Sequence, residues 1–222
     1  MKEAFIPHEY IMAEKREQSF EQMAKDTRFY SKEDYEKIFS HTKEHWGIDS
    51  PAFVLDRKYF KYNNHQELLP KDIEGDALIA FNRDSVPDPE YLNFFKEHEY
   101  SEYYIEKKEG FNLQNALRLD WPLPIHEKQR PAHRYATLKE FEAAATAGKL
   151  DEYMQWWREY YQKNIDEVMA LPQADIIRIT QNYGVRKGDR EAIVDRIKAN
   201  QALKEKIYEK VKSRPKITKS VG

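Results

Sequence analysis

The sequence contains no cysteine, only 7 glycines in 222 residues, and no apolar run of bilayer length. Each shortage excludes something. Without cysteine there is no disulfide, thiolate nucleophile, iron–sulfur cluster or cysteine zinc site, and an intracellular setting is expected. Scarce glycine argues against a sandwich or barrel with many tight turns. Crossing a bilayer takes about 18–20 consecutive apolar residues, so the chain is expected to be soluble or peripheral and not membrane-spanning. Met1 to Tyr10 has neither the apolar stretch of a signal peptide nor the arginine-rich, acid-poor character of a transit peptide.

Apolar residues are limited as well: 40% of the chain, against 34% charged, with a mean hydropathy of -0.93. What is plentiful is aromatic. The 15 Tyr, 11 Phe and 4 Trp supply large burial areas, and Tyr and Trp add a polar tip suited to interfaces. The net charge of -2 conceals an asymmetry: from Asp175 onward, 13 Lys and Arg stand against 6 Asp and Glu, so the preceding part is strongly acidic.

Periodicity points to a mainly α fold: an irregular multi-helix body with an extended proline-containing arm and a small C-terminal helix-extended-helix module. A polar helix is expected over about 7–25, then a second opened by Ser31, with Tyr35, Ile38, Phe39 and Trp46 at helical spacing before Gly47. Asp49-Ser50-Pro51 has the form of a helix start leading into Phe53, Val54 and Leu55, with a strand as the rival. The run from Asp76 to Phe81 reads as one strand or one buried helical turn, so at most a minor strand pair is expected between 53 and 83. Asp88-Pro89 opens a helix ending near Gly110. Three prolines, Pro122, Pro124 and Pro131, mark an ordered arm over about 111–135. Thr137 with Glu140 reads as a capping box for a short helix ending at Gly148. Leu150, Tyr153, Met154, Trp157, Tyr161, Ile165 and Val168 then form one stripe, widened by Trp156 and Tyr160. The expected division is a body over 1–149, a connecting helix over 150–170, a module over 171–200 and a basic tail over 201–222.

The module carries the most specific pattern. Ile176, Ile177 and Ile179 precede Gly184-Val185; Gly188 permits a tight loop; Arg190 follows; Ile193, Val194 and Asp195-Arg196-Ile197 form a second helix face. This resembles the SAP family over about an eighth of the chain, with a loop between the glycines one residue shorter than the family pattern. The resemblance implies DNA binding, with Arg186, Lys187, Arg190 and Arg196 as phosphate contacts. A packing unit with a solvated basic face is the other reading, and the acidic body would repel a polyanion.

No catalytic set emerges. His41 and His45 share a helix face, but no glutamate follows the first histidine and no third ligand is evident. Asp72, Glu74 and Asp76 alternate over too short a span for a calcium loop. Phosphate loops and nucleophile elbows are absent, and carboxylate pairs mean little in a chain with 39 acids. The expectation is therefore a non-catalytic structural or accessory subunit of a large assembly, without cofactor or metal. Its general character is that of mitochondrial respiratory or ATP-synthase accessory subunits, which would make it mitochondrial. Trp121, Trp156, Trp157 and Tyr160 would meet protein partners. The alternative is a nucleic-acid-binding protein, or one that meets an anionic surface, through the basic C-terminal region.

Overall fold

The computed structural model describes residues 19–38, 51–57, 66, 69–108, 131–175 and 190–214. The chain is mainly helical. Strands β1 (Thr27–Tyr30), β2 (Ala52–Asp56) and β3 (Ala77–Asn82) are followed by helices α1 (Tyr91–Lys108), α2 (Pro131–Thr146), α3 (Leu150–Ala170) and α4 (Arg190–Lys212). Residues 19–25 and 32–38 are also helical. Among the described residues, no helix is long and apolar enough to cross a membrane.

The apolar run before Asn82 is the middle strand of a sheet ordered β1-β3-β2, parallel to β1 and antiparallel to β2. All six of its residues are buried, because alternate side chains meet different layers. Leu78 and Ala80 pack with Tyr35, Ile38, Phe53, Leu55 and Ile73. Ile79 and Phe81 join the helical core. The segment after Pro51 is a strand, not a helix: Phe53 and Leu55 share a face at period two, and the Pro51 carbonyl accepts the Asn82 N–H at 2.9 Å. A four-residue strand such as β1 carries almost no sequence signal, and it turns the expected strand pair into three. Beside it, Asp26 Oδ1 and Oδ2 accept the N–H groups of Glu74 and Gly75, each at 2.8 Å, so the acidic turn is clamped by a carboxylate.

Asp88 caps α1, its Oδ1 accepting the Glu90 N–H at 2.9 Å, and the α-helix proper begins at Tyr91. Lys149 pairs with Asp88 and, at 2.7 Å, with Glu90. Helix α2 begins well before the expected capping box. Pro131 suits a first helical position, where a missing N–H costs nothing, so 131–135 belong to the helix and not to the arm, and Thr137 and Glu140 lie inside it. The same i, i+3 spacing serves a cap or a helix interior, and sequence does not separate them. Gly148, at φ 75°, takes the left-handed position that ends α2, with the Lys149 N–H returning 2.9 Å to the Ala144 carbonyl.

The stripe on α3 is buried at Leu150, Tyr153, Met154, Trp157, Tyr161 and Val168. Helix α4 lies antiparallel to it, with Arg158 paired to Glu205 at 2.7 Å and Asp151 to Lys212 at 2.9 Å. Leu203, Ile207, Tyr208 and Val211 bury one face of α4. The residues expected to form a basic tail from 201 are thus helical through Lys212, because apolar side chains at i, i+4 spacing continue the core beneath the lysines.

Candidate metal centre

At 3.6 residues per turn, His98, Glu99 and Glu102 fall within roughly 100° of the α1 circumference. On α2 the same spacing aligns His133, Thr137 and Glu140. The two stripes face each other antiparallel, with His98 opposite Glu140 and Glu102 opposite His133. Their meeting place is polar inside an otherwise aromatic core.

Glu140 is the centre of this cluster and is fully buried. Its Oε1 accepts the Tyr153 hydroxyl at 2.6 Å and the Trp157 indole N–H at 2.7 Å. Lys204 of α4, 2% exposed, donates to both oxygens at 3.3 and 3.0 Å and lies 3.9 Å from the Trp157 ring centroid. Oε2 also meets His98 Nδ1 at 2.6 Å. Burial alone would raise the Glu140 pKa; the Lys204 and His98 charges, with the bonds from His98 and Tyr153, bring it down to about 2. A buried carboxylate of this kind is tolerable only because all its neighbours donate to it.

The Glu140 carboxylate orients the His98 ring. An ionised carboxylate cannot donate, so Nδ1 carries the proton facing it and Nε2 is turned away, 3.0 Å from Glu102 Oε2. That same oxygen is 3.1 Å from His133 Nδ1, and the two imidazoles meet edge to face with centroids 4.9 Å apart. One ligand atom from each of His98, Glu102 and His133 lies within 4.8 Å of the others. Zinc bonds to nitrogen and oxygen run about 2.0–2.2 Å, so two ligands at a tetrahedral angle stand about 3.3 Å apart; His98 Nε2 and His133 Nδ1 stand near that spacing from Glu102 Oε2, at 3.0 and 3.1 Å. A carboxylate holding the distal nitrogen of a metal-binding histidine is the arrangement that orients such ligands. Thr137, on the same stripe, is fully buried, and its hydroxyl has no hydrogen-bond partner among the described residues.

Charge favours a cation. Three carboxylates, Glu99, Glu102 and Glu140, share the cluster with one ammonium, Lys204. The protein answers this excess with protons. For His98, burial opposes the charged form, but the Glu140 charge and the bonds to both carboxylates raise the pKa to about 9. Burial, with Glu102 and Glu140 adding to it against His98, raises Glu99 to about 7. A divalent ion in place of those protons would neutralise the set.

None of the residues singled out from sequence belongs to this centre as a ligand. Trp157 reaches it as a buried donor to Glu140. Trp156 and Tyr160 are half-buried on the neighbouring face of α3, stacked on each other at 5.4 Å. Arg190 opens α4 with its guanidinium 3.5 Å from the Val168 carbonyl. Arg196 lies within α4. Trp121, Arg186, Lys187, His41 and His45 lie outside the described residues, as do most of the arm and the loop of the SAP-like pattern. The signal that would have found the centre is His98-Glu99-Tyr100-Ser101-Glu102, a histidine and a carboxylate four apart on a helix with a glutamate after the histidine. No family model matches the chain, and neither a curated protein nor a solved structure matches it.

Proposed function

We propose that the chain is a metalloprotein whose activity depends on one divalent transition-metal ion held by His98 Nε2, Glu102 and His133 Nδ1. The observation that carries this reading is the locked His98: a fully buried carboxylate holds its Nδ1 while its Nε2 meets Glu102 Oε2, the oxygen that His133 Nδ1 also meets. Two histidines and one carboxylate leave positions open, the pattern of catalytic sites that hold zinc in hydrolases and iron(II) in oxygenases. Structural zinc sites are closed by four protein ligands, which makes catalysis or ligand binding the better account here.

The test is metal analysis of the purified chain together with titration of chelator-treated protein by zinc and iron(II). Stoichiometric binding is expected, lost in His98→Ala, Glu102→Ala and His133→Ala by more than the roughly 10–100-fold that follows loss of an outer partner. Unsaturable binding, or His133→Ala behaving as wild type, would remove the site.

A second reading, a structural subunit acting through protein contacts, draws support from the half-buried Trp156 and Tyr160. Gentle purification separates the two: a fixed set of stoichiometric partners around a metal-free chain would favour the subunit.

A further inference from the structure

We propose that the bound ion is iron and that single electrons pass between it and the surface through Trp157 and Tyr160, making the centre one that reduces a peroxide. This inference rests on the metal reading above.

The path is continuous in hydrogen bonds and ring contacts. His98 Nδ1 is 2.6 Å from Glu140 Oε2, and Glu140 Oε1 accepts the Trp157 indole N–H at 2.7 Å. From Trp157, the ring centroids of Trp156 and Tyr160 lie 5.0 and 5.1 Å away, and those two rings stack on each other at 5.4 Å. Trp157 is buried, whereas Trp156 and Tyr160 are half-buried. One indole thus joins the carboxylate behind a ligand to rings that meet solvent. In a chain without cysteine, indole and phenol are the side chains that give up a single electron most readily. Zinc has no use for such a path; iron(II), the other ion that the ligand set suits, does.

Charge sets where an electron vacancy comes to rest. The Lys204 ammonium, 3.9 Å from the Trp157 centroid, opposes a positive charge on that ring, while the Glu140 carboxylate favours one. Trp157 therefore passes the charge on rather than keeping it. Tyr160 can keep it: at the solvent edge, its phenol releases a proton to water on oxidation and becomes neutral. Tyr153 also donates to Glu140, but it is fully buried and its proton faces that carboxylate.

The ligand side chains are at most 16% exposed, so the oxidant is a small molecule. Hydrogen peroxide matches the electrons at hand. Its O–O bond takes two, one from iron(II), which becomes iron(III), and one from Trp157, which is refilled from Tyr160. With two protons from solvent, two waters form. A one-electron donor of the ascorbate class at the surface then returns both electrons by the same rings, with a proton for Tyr160.

The experiment mixes iron(II)-loaded wild type, Trp157→Phe and Tyr160→Phe, all as full chains, with hydrogen peroxide and freezes them for electron paramagnetic resonance. Radical yield is counted per iron bound. Wild type should give a tyrosyl signal that ascorbate quenches and that the zinc-loaded protein lacks. In Tyr160→Phe a tryptophanyl signal should replace it, and in Trp157→Phe it should be lost without replacement. Spin trapping with mass spectrometry should place the wild-type radical on Tyr160. Equal yield in wild type and Trp157→Phe, or no radical from iron-loaded wild type, overturns the path while the metal site stands. Trapped oxidation on the exposed Met169 and Phe29 in place of Tyr160 marks a diffusing oxidant and overturns it too. If Trp157→Phe does not fold, Tyr160→Phe decides alone, and an unchanged tyrosyl signal overturns the assignment. A wild-type chain that takes up no metal fails the earlier reading itself, and this one with it.

Discussion

His98 Nδ1 lies 2.6 Å from Glu140 Oε2, across 42 positions of sequence. Tyr153, Trp157 and Lys204 converge on the same carboxylate, and removing it leaves charge stranded. Glu140→Gln should destabilise the fold by about 3–5 kcal/mol, because the buried Lys204 loses its counter-charge. It should also weaken zinc binding by about 10–100-fold, since His98 is no longer held in one orientation. Urea unfolding of the chelated protein and zinc titration at a permissive temperature measure the two effects separately.

Replacing both charges tells stability from function. Glu140→Leu with Lys204→Met should be more stable than either single change, because no unpaired charge remains in the core. Zinc affinity should not recover with it. A double variant binding zinc as wild type would mean that the Glu140 contact does nothing for the ligand.

The chelated protein should lose stability as pH rises from about 4.5 to 9. Glu99 is raised from 4.5 to about 7 and His98 from 6.5 to about 9. The folded state therefore binds these protons more tightly than the unfolded one, and the advantage is present below the unfolded values and lost as pH passes the folded ones. Thermal unfolding across this range checks the sign; a melting temperature that rises from pH 6.5 to 9 would contradict it.

Gly75→Ala tests the clamp beside the sheet. A Cβ there would stand 2.1 Å from Asp26 Oδ2, so the carboxylate must leave the two N–H groups it accepts. A loss of about 1–3 kcal/mol is expected from the two unmade bonds, with zinc binding unchanged because the clamp touches none of the three ligands. A melting temperature equal to wild type would show that the turn adapts freely.

Elements with a strong local period were legible in the sequence, and elements defined by their neighbours were not. The stripe on α3 and the stop at Gly148 follow from spacing and from the left-handed backbone position that a glycine takes without strain. β1, with four residues, has too short a period to detect, and Phe53 to Leu55 fits helix and strand alike until β3 lies beside it. The centre was hidden for a related reason. Thr137 and Glu140 match a cap as well as a buried stripe, and only the helical start at Pro131 decides between them. His98 and Glu102 sit among many acids, and their third donor, His133, is 31 positions from Glu102, at a register set by helix packing. Lys204 reads as one more basic residue, and nothing local marks it as the cation beneath a buried glutamate.

The order of the participants along the chain also shapes how the protein is made. Glu140 leaves the ribosome 64 residues ahead of Lys204, an interval of about 3–13 s at 5–20 residues per second. During it, the nascent helices carry a carboxylate with no ammonium to bury against, and they cannot close their shared interior. Completion of the Glu140 cluster thus waits for α4, and with it the closing of the interior in which His98 and Glu140 meet.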